Sequence, residues 1–181
     1  ASLVGAGLEG VDLRGCVLRE ADLSEARLSQ AHLDEADLSS AKLVRAGLRG
    51  AALRNARARD VDLTEASGPG LDARGADLRG AHLVDAAFAE GRFELADLSR
   101  ALASGADLRD ARFTEARLRF AVLDHARLDR ATFAGARLES ASLHRASAER
   151  ASFGDADLTN VAGTDPARAA AEDFAPPRPR G

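Results

Sequence analysis

The first forty residues, Ala1–Ser40, read ASLVG AGLEG VDLRG CVLRE ADLSE ARLSQ AHLDE ADLSS. Written in fives, a small residue opens almost every unit and leucine stands third. The frame runs on without a shift to ADLTN at Ala156–Asn160, which makes 32 consecutive pentapeptides. Alanine comes first in 27 of them, the exceptions being Val11, Cys16, Val61, Leu71 and Gly91. The third position is leucine in 22 and phenylalanine in five (Phe88, Phe93, Phe113, Phe133, Phe153). A period of five fits neither a 3.6-residue helix nor a two-residue strand. Apolar positions two apart and then three apart suit a short extended stretch with two inward side chains, followed by a corner. Nine of the sixteen glycines stand fifth, as do Asn55 and Asn160. A type II turn needs positive φ at its second central residue, which glycine and asparagine tolerate best. Each pentapeptide therefore reads as one side and one corner of a polygonal coil.

The phenylalanines fix the number of sides. Phe93, Phe113, Phe133 and Phe153 are spaced by 20 residues, so four pentapeptides per coil stack the rings in a single core ladder. The repeat then makes eight coils of 20 residues, roughly 38 Å long at the ~4.8 Å strand spacing. This pattern resembles the pentapeptide-repeat family, whose motif is A(D/N)LXX. ADLSE at Ala21–Glu25, ADLRG at Ala76–Gly80, ADLRD at Ala106–Asp110 and ADLTN at Ala156–Asn160 match it outright. The resemblance covers residues 1–160 and implies an all-β fold, a right-handed quadrilateral β-helix.

Composition narrows the class of protein further. Alanine (41) and leucine (25) exceed a third of the 181 residues, with no Met, Trp or Tyr, so the core must be built from two side chains used repeatedly. With 30% charged residues and no apolar run near ~20 residues, a membrane span is not expected. No cationic and apolar leader opens the chain, so a cytoplasmic bacterial protein is expected. The repeat begins at Ala1 itself, which implies either a cleaved initiator Met or residues that precede this sequence. A single cysteine excludes a disulfide scaffold. The net charge of −4 leaves no basic footprint for direct nucleic-acid binding.

Two stretches depart from the repeat. In Ala56–Gly75 the leucine position becomes Ala58, Gly68 and Ala73, and Pro69 cannot donate to a ladder. Ser67–Asp72, with Ser67, Gly68, Pro69 and Gly70 at its tip, reads either as a protruding loop or as a locally loose corner. After Asn160 the repeat stops. Asp165 and Pro166 have the form of a helix N-cap and first turn. Residues 161–174 are accordingly expected to form a helical segment capping the open end of the solenoid, and 175–181 a flexible Pro/Arg tail.

Catalytic chemistry is not expected. His32, His82, His125 and His144 fall on outward positions, and no cysteine or second acidic partner completes a metal geometry. Cys16 sits at an inward alanine position and reads as packing. The glycines follow the corner period rather than a phosphate-loop spacing. A filled solenoid also lacks a pocket, so no cofactor is expected.

The surface is what remains. Summed by side, the charge is −3 on the side containing Ala21–Glu25 and −2 on that containing Ala31–Glu35, against 0 and +1 on the others. The resemblance implies a function for such a surface. Well-characterised family members imitate duplex DNA with acidic faces, bind type II topoisomerases such as gyrase, protect them from quinolones, and dimerise through their C-terminal coils. On that reading Asp22, Glu25, Asp62, Glu65 and Asp85 are the partner-binding carboxylates. Two columns temper it: Asp22, Lys42, Asp62 and Glu25, Arg45, Glu65 are each spaced by 20 and form alternating-sign ladders, worth about 0.2–1 kcal/mol per pair. An interaction scaffold with no topoisomerase role fits the mixed charges equally well. Leu95 and Phe120 at corners, Leu102 and Val122 on outward positions, and Phe174 beyond the repeat form a candidate dimer or partner patch.

Overall fold

The computed structural model describes residues 1–164. One five-residue unit repeats throughout: an extended residue pair carrying a single bridge residue, then a two-residue turn. Every bridge is parallel and joins residues 20 apart, from Ser2↔Asp22 to Ser142↔Ala162. The chain is thus a β-helix-like solenoid with four pentapeptides to a coil. We call first face the pentapeptides beginning at residues 1, 21, 41, 61, 81, 101, 121 and 141. The second, third and fourth faces begin five, ten and fifteen residues later.

Three main-chain bonds per pentapeptide tie each coil to the next. Around the first face, Leu3 N–H donates to Asp22 C=O (2.6 Å), Gly5 N–H to Ser24 C=O (2.9 Å), and Asp22 N–H returns to Ala1 C=O (2.9 Å). A fourth bond, such as Ala6 N–H to Leu3 C=O at 3.0 Å, closes the turn. Positive φ falls at the fifth position of the pentapeptide, the sign pattern of a type II turn. Glycine is not required for it. Twenty-three non-glycine corners, among them Glu25, Leu95, Phe120 and Arg150, hold φ between 53° and 63°. The inter-coil bonds on both flanks impose the corner whatever residue occupies it.

The core is two stacked layers of side chains, the first and third positions, almost wholly buried from Ala21 to Ala141. Phe93, Phe113, Phe133 and Phe153 stack with ring centroids 5.1, 4.9 and 4.8 Å apart and planes within 7° of parallel. Small residues sit where large ones stand one coil later: Gly68 below Phe88, Ala73 below Phe93. A Cβ on Gly68 would meet Leu48 Cβ at 2.9 Å and Phe88 Cε1 at 3.0 Å. The ring thus occupies the volume that the missing leucine leaves. Gly91 is needed for the same reason, since its Cβ would stand 2.6 Å from Phe93 Cε2.

This compensation decides between the two readings of Ser67–Asp72, against the protruding loop at Ser67, Gly68, Pro69 and Gly70 and for a corner that keeps the ladder. Residues 66–75 stay in register, Ser67 bridging Gly47 and Ala87, and Asp72 bridging Ala52 and Arg92. Pro69 is harmless because it takes the fourth position, whose N–H lies outside the inter-coil ladder, while its carbonyl still accepts from Gly50 N–H. Pro69–Gly70 also supplies the residues a type II turn favours. The expected cap at 161–174 falls largely outside the described residues, as do the tail 175–181 and Phe174. The last bridge is at Ala162.

Candidate binding face

Aspartate at the second position has a structural task. Its carboxylate turns back to accept the fourth-position N–H, as in Asp22–Ser24, Asp62–Thr64 and Asp97–Ser99, each 3.0 Å. The fourth residue is one of two sources of a counter-charge, the other being arginines of adjoining coils, which reach Asp37 and Asp97 although serine stands fourth there. Where the fourth residue is arginine, the guanidinium grips the same carboxylate: Arg74 and Arg109 each donate through Nε and a terminal nitrogen to Asp72 and Asp107 at 2.5–2.8 Å. Arginines of adjoining coils add to these pairs. Arg54 Nε reaches Asp72 at 2.8 Å and Arg59 Nε reaches Asp77 at 2.6 Å. Burial pushes the Asp72 carboxyl up, but Arg74 and Arg54 outweigh it and hold it at about 2. Asp77 is likewise held at about 2, first by Arg79 and, against burial, by Arg59.

The first face is built differently. Its fourth positions are Val4, Ser24, Val44, Thr64, Val84, Ser104, Asp124 and His144, with no arginine among them. Asp22 is held below the usual carboxylate range by hydrogen bonding to Ser24, side chain first and then backbone N–H, with Lys42 a smaller attraction. Among the described residues, Asp22, Asp62, Glu65 and Asp85 have no lysine or arginine within 4 Å. Glu25 alone of the five predicted carboxylates is paired, to Arg45 Nη2 at 2.8 Å. Glu20 and Asp60, at the corner shared with the fourth face, extend the group of unpaired carboxylates. Asp85 leans across the corner toward the next coil, its Oδ1 lying where a Cβ on Gly105 would be. The same relation joins Asp60 to Gly80 and Asn55 to Gly75.

The structure therefore brings the five carboxylates to one face, where Glu25 is paired to Arg45 and the other four are not. The other faces hold both Asp–Arg pairs and carboxylates such as Glu35, Glu90 and Glu115 that make no ion pair within 4 Å among the described residues. The charge sums locate the face but miss why it differs. Part of the signal was present in the sequence, in the identity of the fourth residue: ADLSE and VDLTE lack the arginine that ADLRG and ADLRD supply.

The apolar candidates do not form one patch. Leu95, 64% exposed, stands at the corner between the third and fourth faces. It lines a shallow groove with Arg54, Asn55, Arg74 and Gly75. Phe120, Leu102 and Val122 lie together at and beside the corner between the fourth and first faces. His144 is also displaced from expectation: it is buried rather than outward. It lies 5.7 Å from the His125 ring, and its backbone N–H donates to the buried Asp124 carboxylate at 3.2 Å. The outgoing chain passes this corner, where Arg145 N–H donates to Thr164 Oγ1 at 3.1 Å. Cys16 is a free thiol of intermediate exposure in the first coil.

A four-sided solenoid with a period of five and an A(D/N)LXX motif defines a class of repeat protein. The chain belongs to the pentapeptide-repeat family: the family model for pentapeptide repeats matches residues 1–39, 31–67, 46–85, 92–129 and 123–161. Among solved structures it is similar to HetL, a pentapeptide-repeat protein involved in heterocyst differentiation regulation from the cyanobacterium Nostoc sp. strain PCC 7120. That match has 26% identity over 88% of this chain and 89% of HetL, with a TM-score of 0.54. It also shares its fold with QnrB1, a plasmid-mediated fluoroquinolone resistance protein. A trypsin-treated variant of QnrB1 matches at 19% identity over 93% of this chain and 91% of that one, with a TM-score of 0.65. No curated protein matches. No helix among the described residues is long and apolar enough to cross a membrane.

Proposed function

We propose that the protein is a binding module rather than an enzyme, and that its first face engages a basic groove normally occupied by duplex DNA, as in a type II topoisomerase such as gyrase. The observation that carries this reading is how the aspartates are partnered: the second-position Asp12, Asp37, Asp72, Asp77, Asp97 and Asp107 of the other faces are tied to arginine and those of the first face are not. The second, third and fourth faces tie most of their aspartates to arginine, whereas the first holds Asp22, Asp62, Glu65 and Asp85 unpaired. A solenoid that needed its carboxylates only for stacking would gain by pairing these too. QnrB1 and HetL share the fold and carry different roles, so the face and not the fold supports the assignment.

The charge density sets the expected strength. Coils two to five span ~19 Å, a length over which duplex DNA carries about eleven charges. The face offers six unpaired carboxylates there or one coil below, counting Glu20 and Asp60. Binding weaker than that of DNA itself is therefore expected, competing only at micromolar protein.

A gyrase supercoiling assay, titrated with and without a fluoroquinolone, tests the reading. Inhibition or protection from the drug is expected. It should vanish in the variant carrying Asp22→Asn, Glu25→Gln, Asp62→Asn, Glu65→Gln and Asp85→Asn, in which the amides at positions 22 and 62 still cap their turns. No effect of the wild-type chain, or an equal effect of the neutralised one, would sink it. In that case a scaffold binding through other surfaces is the better account.

A further inference from the structure

We propose that the corner at Phe120, with Leu102 and Val122 beside it, docks an extended protein segment presenting an apolar side chain next to a carboxylate. The proposal uses other residues than the topoisomerase reading and does not depend on it. Phe120 is 49% exposed and holds φ at +59°, a backbone region that bulky side chains avoid. The other seven corners of that column are Glu20, Ser40, Asp60, Gly80, Arg100, Ser140 and Asn160, all polar or glycine. A ring there is unfavourable for the backbone and exposed to water, and its packing contributes little to the core. That combination points to a task outside the fold.

Its surroundings define the occupant. Leu102, 40% exposed, bridges His82 on one side and Val122 on the other. The column Asp62, His82, Leu102, Val122 thus changes from acidic to apolar within the first face. The guanidinium carbons of Arg100 and Arg119 each lie 5.8 Å from the Phe120 ring centroid. Arg119 also reaches Glu139 at 3.4 Å, whereas Arg100 has no carboxylate within 4 Å among the described residues. A ring flanked by two guanidinium groups repels a basic partner and leaves one cation to be matched by an acid. Strand addition is closed off, since Phe120 N–H donates to Glu139 C=O, Leu102 N–H to Ala81 C=O and Val122 N–H to Ala101 C=O. Recognition must come from side chains laid on a flat surface, an apolar group on Leu102 and Val122 and a carboxylate at Arg100.

Random twelve-residue peptides displayed on phage and panned on the whole chain provide the test. The enriched sequences should place an aromatic or branched aliphatic residue within three positions of Asp or Glu. A synthetic peptide of that sequence, followed by fluorescence anisotropy, should bind Phe120→Gly and Arg100→Glu at least tenfold more weakly than wild type, and Leu95→Gly unchanged. Glycine suits the corner, so Phe120→Gly should melt no lower than wild type, and Leu102→Ser supplies a second lesion should it do so. No enrichment over the unpanned library, a basic consensus, or a peptide that binds both Phe120→Gly and Leu102→Ser within twofold of wild type overturns the proposal.

Discussion

At the scale of single residues the fold asks two unusual things of the chain. Each corner must adopt a left-handed backbone, and most corners do so without glycine. The conformation costs an L-residue about 1–2 kcal/mol, and glycine in its place costs chain entropy of about 0.5–1 kcal/mol. Glu115→Gly, at an exposed corner with φ of +56°, should therefore raise stability by about 0.5 kcal/mol. Scanning calorimetry would register this as a melting temperature higher by about 1–2 °C. The second demand is that aspartate serve as a turn cap and a charge together. Asp72 is held at about 2 against an unfolded value of about 3.9, so its carboxylate form favours the fold. That contribution is complete above pH 4 and disappears as pH falls through 2. Urea midpoints at pH 5 and pH 2.5 should differ less in Asp72→Asn than in the wild type. An equal difference would place the acid sensitivity elsewhere.

The element is a column of the core rather than a strand. Side chains 20 residues apart meet face to face, so each column is a sequence read with a stride of 20. The column from Phe93 to Phe153 carries three parallel ring contacts, and Phe113 stands inside it with neighbours on both sides. Phe113→Ala should cost about 3–5 kcal/mol in denaturant unfolding, the range for a buried ring replaced by a cavity. This stride explains what was legible in the sequence. The period of five, the phenylalanine spacing and the side-to-side register could all be counted. The regular course of Ala66–Gly75 could not be counted from the segment itself. It depends on Phe88 and Phe93 one coil later, and on Pro69 taking the one position in the unit whose N–H makes no main-chain hydrogen bond. Segment by segment, a glycine and a proline look like damage; read down the column, they are accommodated.

At the scale of the whole molecule the faces differ in how they use charge. On three of them Asp–Arg networks knit coils together, whereas on the first Asp22, Asp62, Glu65 and Asp85 have no lysine or arginine within 4 Å among the described residues, Glu25 pairs with Arg45 and Asp124 is buried. The five acidic positions were legible from charge sums; that Glu25 pairs with Arg45 while the other four escape arginine was not, because it depends on how far arginines of the adjoining coils reach. The burial of His144 needed the folded chain, whereas the split of Leu95 from Phe120 could have been counted, since they end units of different faces. Long-range steering by a partly neutralised face should be modest. Association with a basic partner is expected to slow with added salt, since exposed charges are screened over ~8 Å at physiological ionic strength. The logarithmic salt slope should be about half that of a DNA duplex of equal length, measurable by stopped flow.

The bridge register, always 20 residues, also makes the chain a device for indexing angle. One extra pentapeptide inserted between Asp85 and Leu102 would leave every ladder bond with a partner. It would turn all that follows by a quarter revolution, carrying Phe120 and its neighbours off the acidic side. Four extra pentapeptides would bring them back into line, one storey further away. Length in such a chain is therefore also orientation: a genetic change of fifteen base pairs re-aims a surface without redesigning it.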